Sequence, residues 1–367
     1  MGNSKKKQRL LMVVGAVALL MIFIVIFFIF GTWRQKETKK IGYIGTGSSG
    51  ESGWYSANYK GVKEACQELG VELLVKENIK EDTGACQQAA EELINEGAHM
   101  IILNSYGYLD EIKELTEKHK EVLFYANSAE DTSENVSSFF VRLYQGRYLA
   151  GILAGMKTET NEIGYVAAMP NAEVNRGINA FALGARSVNS KAEVNVIWTG
   201  SWSDAQKEKQ AAEELVKNHQ TDVLTYHQNQ PNVIEEAERL KVYSIGFNEP
   251  LKNTSPKYLT CINCYWKNVY KEIIREYLSG KGDAAKNVWF GLEKDVIGLS
   301  DYSSAVTEDM IQEVEHAKAE ILSGKQVFSG EIYDTDGNLR CEKDASISDE
   351  ILRTQLDWYV EGVKIYE

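Results

Sequence analysis

From residue 41 onward, short apolar runs rich in β-branched and aromatic residues alternate with longer stretches whose apolar positions recur at helical spacing. The short runs Ile41–Gly45, Val71–Val75, His99–Asn104, Val122–Ala126, Ile163–Ala168, Val194–Thr199, Asp222–Tyr226, Val242–Gly246 and Tyr258–Asn263 predict strands. Ser56–Leu69, Thr83–Glu96, Asp110–Lys118, Gln145–Lys157, Val174–Val188, Asp204–Lys217 and Asn232–Arg239 predict the intervening helices. Alternation this regular implies parallel sheets covered on both faces, and so many strands divide better between two sheets than they fit in one. The expected fold is α/β, with two doubly wound parallel-sheet lobes joined by three crossings. Asn135–Tyr144 reads as the first crossing, and the others fall near Cys264 and Leu299. The lobes are then 41–140 with 266–298, and 141–265 with 299–367. After Thr307 the pattern predicts a helix ending at Ser323-Gly324-Lys325, a hairpin around Asp336-Gly337-Asn338, and a last helix over Ser348–Tyr359.

The amino terminus breaks this pattern. Leu10 to Phe30 contains no charged or strongly polar side chain, and its 21 residues at about 1.5 Å each span roughly 30 Å, the thickness of a bilayer core. Residues 10–31 therefore read as a transmembrane signal anchor, with 1–9 a basic cytoplasmic tail and 32–40 a tether. No small-residue cleavage site follows Phe30, and the first cysteine, Cys66, lies too far on for lipid attachment. The expected location is the cell membrane, single-pass, with the carboxyl-terminal body extracytoplasmic.

Charge sharpens this division. Residues 1–40 carry +7, which leaves −20 on the rest of a chain whose total is −13. A body this acidic repels nucleic acid. Five cysteines (Cys66, Cys86, Cys261, Cys264 and Cys341) include one C-x-x-C and no second pair, too few for a zinc ribbon, and their odd number leaves at least one thiol free. No metal site or cofactor is implied.

In doubly wound sheets ligands sit beyond the carboxyl ends of the strands, so the residues after each strand are the place to seek function. After the first strand, the glycine-rich loop from Gly45 to Gly53 lacks the spacing of a P-loop or a dinucleotide site, and it leads into Trp54 and Tyr55. Tyr106 and Tyr108 follow the third strand, Trp202 and Asp204 the sixth, and His227, Gln228 and Asn229 the seventh. Asn248 and Glu249 follow the eighth, and Trp266 the ninth. Aromatic faces beside side-chain amides suit a planar ring with polar edges. Hydrolytic signatures are missing: there is no G-x-S-x-G, no H-E-x-x-H and no evident Cys/His pairing. His227 with Asp204 and Glu249 is all that a nucleoside hydrolase could draw on, so the reading is of a binding protein that catalyses nothing.

Several segments carry a family likeness. They are Tyr144 to Gly155 (YQGRYLAGILAG), Asn161 to Ala167 (NEIGYVA), Val174 to Asn189 (VNRGINAFALGARSVN) and Gly200 to Asp204 (GSWSD). From about Lys40 to Val363 the chain resembles the basic membrane protein family, the extracytoplasmic solute receptors of ABC importers for purine nucleosides and related compounds. The resemblance implies a monomer that closes on a purine base or nucleoside and docks on an ABC permease. It implies that Trp54 and Trp202 stack on the two ring faces, that Tyr106 and Tyr108 line the edge, and that His227 to Asn229 approach from the second lobe. Where nucleoside-binding members carry a paired Asp, an Asp and a Lys, this chain has Ser48-Ser49, Asn248 and Cys264, and Asn229 stands where a related branch has an acid. Those departures weaken the case for a nucleoside and favour a neutral base, or an unrelated small ring. A second reading keeps the fold but makes the protein a membrane-tethered sensor that feeds no transporter.

Overall fold

The computed structural model describes residues 38–50, 53–280 and 286–366, together with positions 15 and 21. The expected tail, span and most of the tether lie outside the described residues. Among the described residues no helix is long and apolar enough to cross a membrane.

The first sheet collects β1 (Lys40–Ile44), β2 (Glu72–Lys76), β3 (Ala98–Leu103), β4 (Leu123–Asn127) and β5 (Val136–Val141). Between them run α1 (Trp54–Leu69), α2 (Ala85–Asn95), α3 (Tyr108–Glu111) and α4 (Lys113–Lys118). The second sheet begins after α5 (Leu143–Lys157) with β6 (Glu162–Ala167), then α6 (Ala172–Val188), β7 (Glu193–Trp198), α7 (Ala205–Asn218), β8 (Val223–His227), α8 (Asn232–Leu240), β9 (Tyr243–Asn248) and β10 (Tyr258–Cys264). Next come α9 (Trp266–Leu278) and β11 (Asn287–Phe290), which return to the first sheet, and β12 (Ile297–Leu299), which rejoins the second. The chain closes with α10 (Glu308–Leu322), the β13–β14 hairpin (Ile332–Tyr333 and Leu339–Cys341), α11 (Asp349–Thr354) and β15 (Val363–Tyr366).

Strand order is β11-β5-β4-β3-β1-β2 in the first sheet and β12-β10-β9-β8-β6-β7-β15 in the second. Every pairing is parallel except β10 with β12. The period-two pattern explains how both faces of the first sheet are buried. Tyr43, Met100, Ile102 and Tyr125 pack beneath α1 and α9, and Ile44, Ile101, Leu103 and Phe124 pack on the α2 side. In the second lobe α5 and α6 touch backbone to backbone. A Cβ at Gly151 would lie 2.0 Å from Phe181 O, one at Gly155 2.4 Å from Ala185 O, and one at Gly184 2.1 Å from Tyr148 O. The small residues of the YQGRYLAGILAG segment thus serve helix packing.

Four local features differ from the sequence reading. The Asn135–Tyr144 stretch holds a full strand of the first sheet, β5, and the crossing follows it. The expected Asp110–Lys118 helix breaks at Ile112 into α3 and α4. Strands β11, β12 and β15 were too short or too irregular in pattern to predict. The last helix stops at Thr354 instead of Tyr359, because α6 holds the following backbone extended. Asn175 Nδ2 donates to Leu356 O at 2.9 Å, Asn179 Nδ2 donates to Trp358 O at 2.9 Å, and Val360 N donates to Asn179 Oδ1 at 3.0 Å. All five cysteines are buried and none is in a disulfide.

Candidate functional site

A cleft of about 730 Å³ separates the carboxyl edges of the two sheets, a size ordinary for a small-molecule site. From the first sheet it receives Thr46, Trp54, Asn104, Tyr106, Asn127 and Phe140. Facing them from the second are Asn171, Glu173, Trp202, His227, Asn229 and Phe247.

Trp54 owes its position to Gly53, whose φ of 108° lies in the region that favours glycine and turns the chain sharply into α1. Its indole stands edge-on to Trp266 at 4.9 Å and lies 6.4 Å from Phe140, which fixes it as a wall of the cleft. Trp202 follows a left-handed turn at Gly200. Its carbonyl accepts from Asn229 N at 2.9 Å, which ties the loops after β7 and β8, and its ring meets His227 edge-on at 6.0 Å. Two indoles from opposite sheets therefore line one cavity.

His227 ends β8 and is buried, with Nε2 3.5 Å from Glu173 Oε1 and Nδ1 without a partner. Burial lowers its pKa, and Glu173 only partly offsets this, so the imidazole is neutral near pH 7. Beside it Gln228 Nε2 donates to Thr199 Oγ1 at 2.9 Å, which leaves Oε1 unpartnered in the cleft wall. On the first-sheet side Asn127 Nδ2 donates to Asn104 Oδ1 at 2.8 Å, and Asn104 Nδ2 has no partner. Tyr106 is 70% exposed and stands at the mouth. The walls thus offer two or more flat apolar faces and a set of amide groups without partners, suited to binding a ring. Among the described residues no cluster of His, Cys, Asp or Glu could hold a metal.

Residues 38–330 match the model of the Bmp family, described as ABC transporter substrate-binding proteins, PnrA-like. The chain belongs to this family. Among Bmp relatives, a purine-binding protein of Brucella abortus is 29% identical over 341 residues, 92% of this chain and 96% of its own. A Haloferax volcanii protein assigned as an ABC transporter glucose-binding protein is 32% identical over 267 residues, 72% of this chain and 65% of its own. In fold the chain is similar to an ABC transporter solute-binding protein of Aeropyrum pernix, with a TM-score of 0.67 at 17% identity over 88% of this chain and all of that one.

Within this Bmp architecture the remaining six sequence candidates do not line the cleft. Tyr55 lies under the glycine loop, with Oη donating to Glu77 Oε1 at 3.0 Å, and its ring fills the space that a Cβ at Gly45 would need. Gly45 and Gly47 make room for this tyrosine. Tyr108 is fully buried and donates to Ile79 O at 2.5 Å. Asp204 caps α7 by accepting from Lys207 N at 3.1 Å. Asn248, in the left-handed region at φ 72°, accepts from Trp266 Nε1 at 2.9 Å, so these two join the lobes behind the cleft. Glu249 forms a surface ion pair with Lys60 at 3.3 Å.

Sequence reasoning missed Arg176 and Trp289 in the Bmp cleft. Arg176 is the fifth residue of α6 and does not follow a strand, and its Nη1 donates to Leu352 O at 2.6 Å. Burial pulls its pKa down to about 10. Its guanidinium lies 4.7 Å from the centroid of Trp289, which belongs to the unpredicted β11. The family motif VNRGINAF was the one signal available for Arg176.

Proposed function

We propose that the chain is the extracytoplasmic solute-binding component of an ABC importer and that it encloses a purine base or nucleoside between its lobes. One observation carries the ligand assignment: Trp54 and Trp202, from opposite sheets, line a single cavity whose walls also hold Asn104, Gln228 and Asn229. A ring between the two indoles would gain about 1–3 kcal/mol per stacked face, and side-chain amides would pair with its edge nitrogens and oxygens. Closure of the lobes would strip water from those contacts, and the closed form would dock on a permease. The name of the Brucella relative supports a purine; the name of the Haloferax relative makes glucose the comparator. On this reading the apolar segment 10–31 anchors a monomer in the cell membrane with the lobes outside, and no step is catalysed.

Isothermal titration of the purified full chain with adenine, hypoxanthine, guanosine, adenosine and D-glucose tests the assignment. Binding of a purine at micromolar or tighter affinity is expected. Glucose binding without purine binding would refute the ligand assignment.

A second reading, a membrane-tethered sensor of the same fold, draws on the absence of a cysteine at the end of the apolar run. Cells lacking the gene distinguish the two. A transport component leaves them unable to take up radiolabelled ligand, whereas a sensor leaves uptake intact.

A further inference from the structure

We infer that the end of the cleft at Trp289 is a hydrogen-bond donor subsite, and that the ligand is an oxopurine such as hypoxanthine or xanthine, not adenine. This rests on the purine reading above and deepens it.

Trp289 and Arg176 both line the cleft and are both more than nine-tenths buried. Trp289 Nε1, a donor only, has no partner. The indole lies between two guanidinium groups, Arg142 at 4.4 Å and Arg176 at 4.7 Å from its centroid. Arg142 is committed to Asp349, with Nη1 to Oδ1 at 2.7 Å, and does not line the cleft. Arg176 is different. Its Nη1 donates to Leu352 O, and Glu173, the charge that acts on it most strongly, makes its close contact with His227 at 3.5 Å. Arg353 reaches the same cavity as an ion pair with Glu130, Nε to Oε2 at 3.6 Å, with no hydrogen bond at Nε. Glu130 takes its close contact from Asn287 Nδ2 at 3.1 Å.

The orphan indole N–H, beside the Arg176 guanidinium at one end of the cleft, calls for an acceptor from the ligand, because a buried donor left unpaired is destabilising. A 6-oxopurine offers O6 and N7 side by side, the acceptor pair that an arginine fork reads on guanine in DNA. Adenine turns an amino group toward the same position, donor against donor. The ring N–H that accompanies a 6-oxo group needs an acceptor in turn, and Gln228 Oε1, buried, unpartnered and on the cleft wall, supplies one.

The test is calorimetric titration of the full chain with hypoxanthine, xanthine and adenine, on wild type, Arg176→Lys and Trp289→Phe. The wild type should bind an oxopurine at least about tenfold more tightly than adenine, the discrimination expected of one bidentate pair. Trp289→Phe removes the indole donor and keeps a flat apolar ring, and Arg176→Lys keeps the charge and loses the fork. Each should bring the ratio to within about threefold by weakening oxopurine binding alone. Adenine bound as tightly as hypoxanthine by the wild type, or variants that weaken both ligands equally, would overturn the inference while the purine reading stands. No purine binding at all would overturn both.

Discussion

Gly53, on the loop that leads into α1, lies so close to the carbonyl of Asn229 that a Cβ built on it would stand 2.1 Å from that oxygen. Gly53 belongs to one lobe and Asn229 to the other, so this is a point where the two cleft rims meet. Its φ of 108° adds a conformational reason for glycine. Gly53→Ala should therefore hold the rims apart. Strain and overlap of about 1–3 kcal/mol each would weaken ligand binding at least about tenfold. Titration checks the affinity, and small-angle scattering checks whether ligand still reduces the radius of gyration. Wild-type affinity with normal compaction would show that the rims need not touch.

The same relationship shows what could be read from the sequence. Strand ends are legible because apolar runs stop where the sheet stops, and that rule led to Trp54, Tyr106, Trp202 and His227, all of which line the cleft. It misleads by one or two positions. Trp54 opens a helix facing the cleft, so Tyr55 turns into the core, and Tyr108 turns inward from Tyr106 for the same geometric reason. Arg176 and Trp289 escape the rule because one sits on a helix and the other on a strand too short to show alternation. The end of α11 was illegible because Asn175 and Asn179, far away in sequence, take over the backbone that a local pattern assigns to a helix.

Glu249 tests the distinction between rim and site. Its partner Lys60 is well exposed, and exposed pairs contribute at most about 1 kcal/mol. Glu249→Gln should change ligand affinity by less than about fivefold and make it less sensitive to salt. A loss of a hundredfold would mean that the carboxylate meets the ligand after all.

Helix packing in the second lobe predicts a different kind of failure. A methyl at Gly184 would meet Tyr148 O at 2.1 Å, and backbone cannot step aside as a side chain can. Gly184→Ala should cost about 1–3 kcal/mol of stability, visible as a lower midpoint in thermal or urea unfolding. Binding at temperatures well below the midpoint should persist, since Gly184 lies about two turns along α6 from the cleft residue Arg176 and further from Glu173. An unchanged midpoint would mean that the helices are not in backbone contact.

Burial holds the pKa of His227 below its ordinary value of 6.5. Below pH 6.5 the unfolded chain takes up a proton at this residue that the folded chain refuses, so stability falls as pH falls through that region, by at most about 1.4 kcal/mol per unit. Above pH 7 both states are neutral there and the contribution is flat. Unfolding midpoints measured from pH 7.5 to 5 for wild type and His227→Asn should diverge in the acid range, with the variant the less sensitive. Parallel curves would mean that His227 protonates freely in the fold.

The two indoles should fail in different ways. Trp54 is braced by Trp266 and Phe140, so Trp54→Ala removes part of a packed wall as well as a ring face. It should lower the unfolding midpoint and the affinity together. Trp202 has one ring contact, edge-on to His227, against two for Trp54, so Trp202→Ala should disturb the fold less and weaken binding by about 1–3 kcal/mol, roughly 5- to 150-fold. If one ring is gripped by both, their losses will not add: with either face gone the ligand can shift, and the double variant should lose less than the sum of the single losses. Strict additivity in calorimetry would place the indoles on separate parts of the ligand, and a Trp202→Ala protein with wild-type affinity would remove the sandwich altogether.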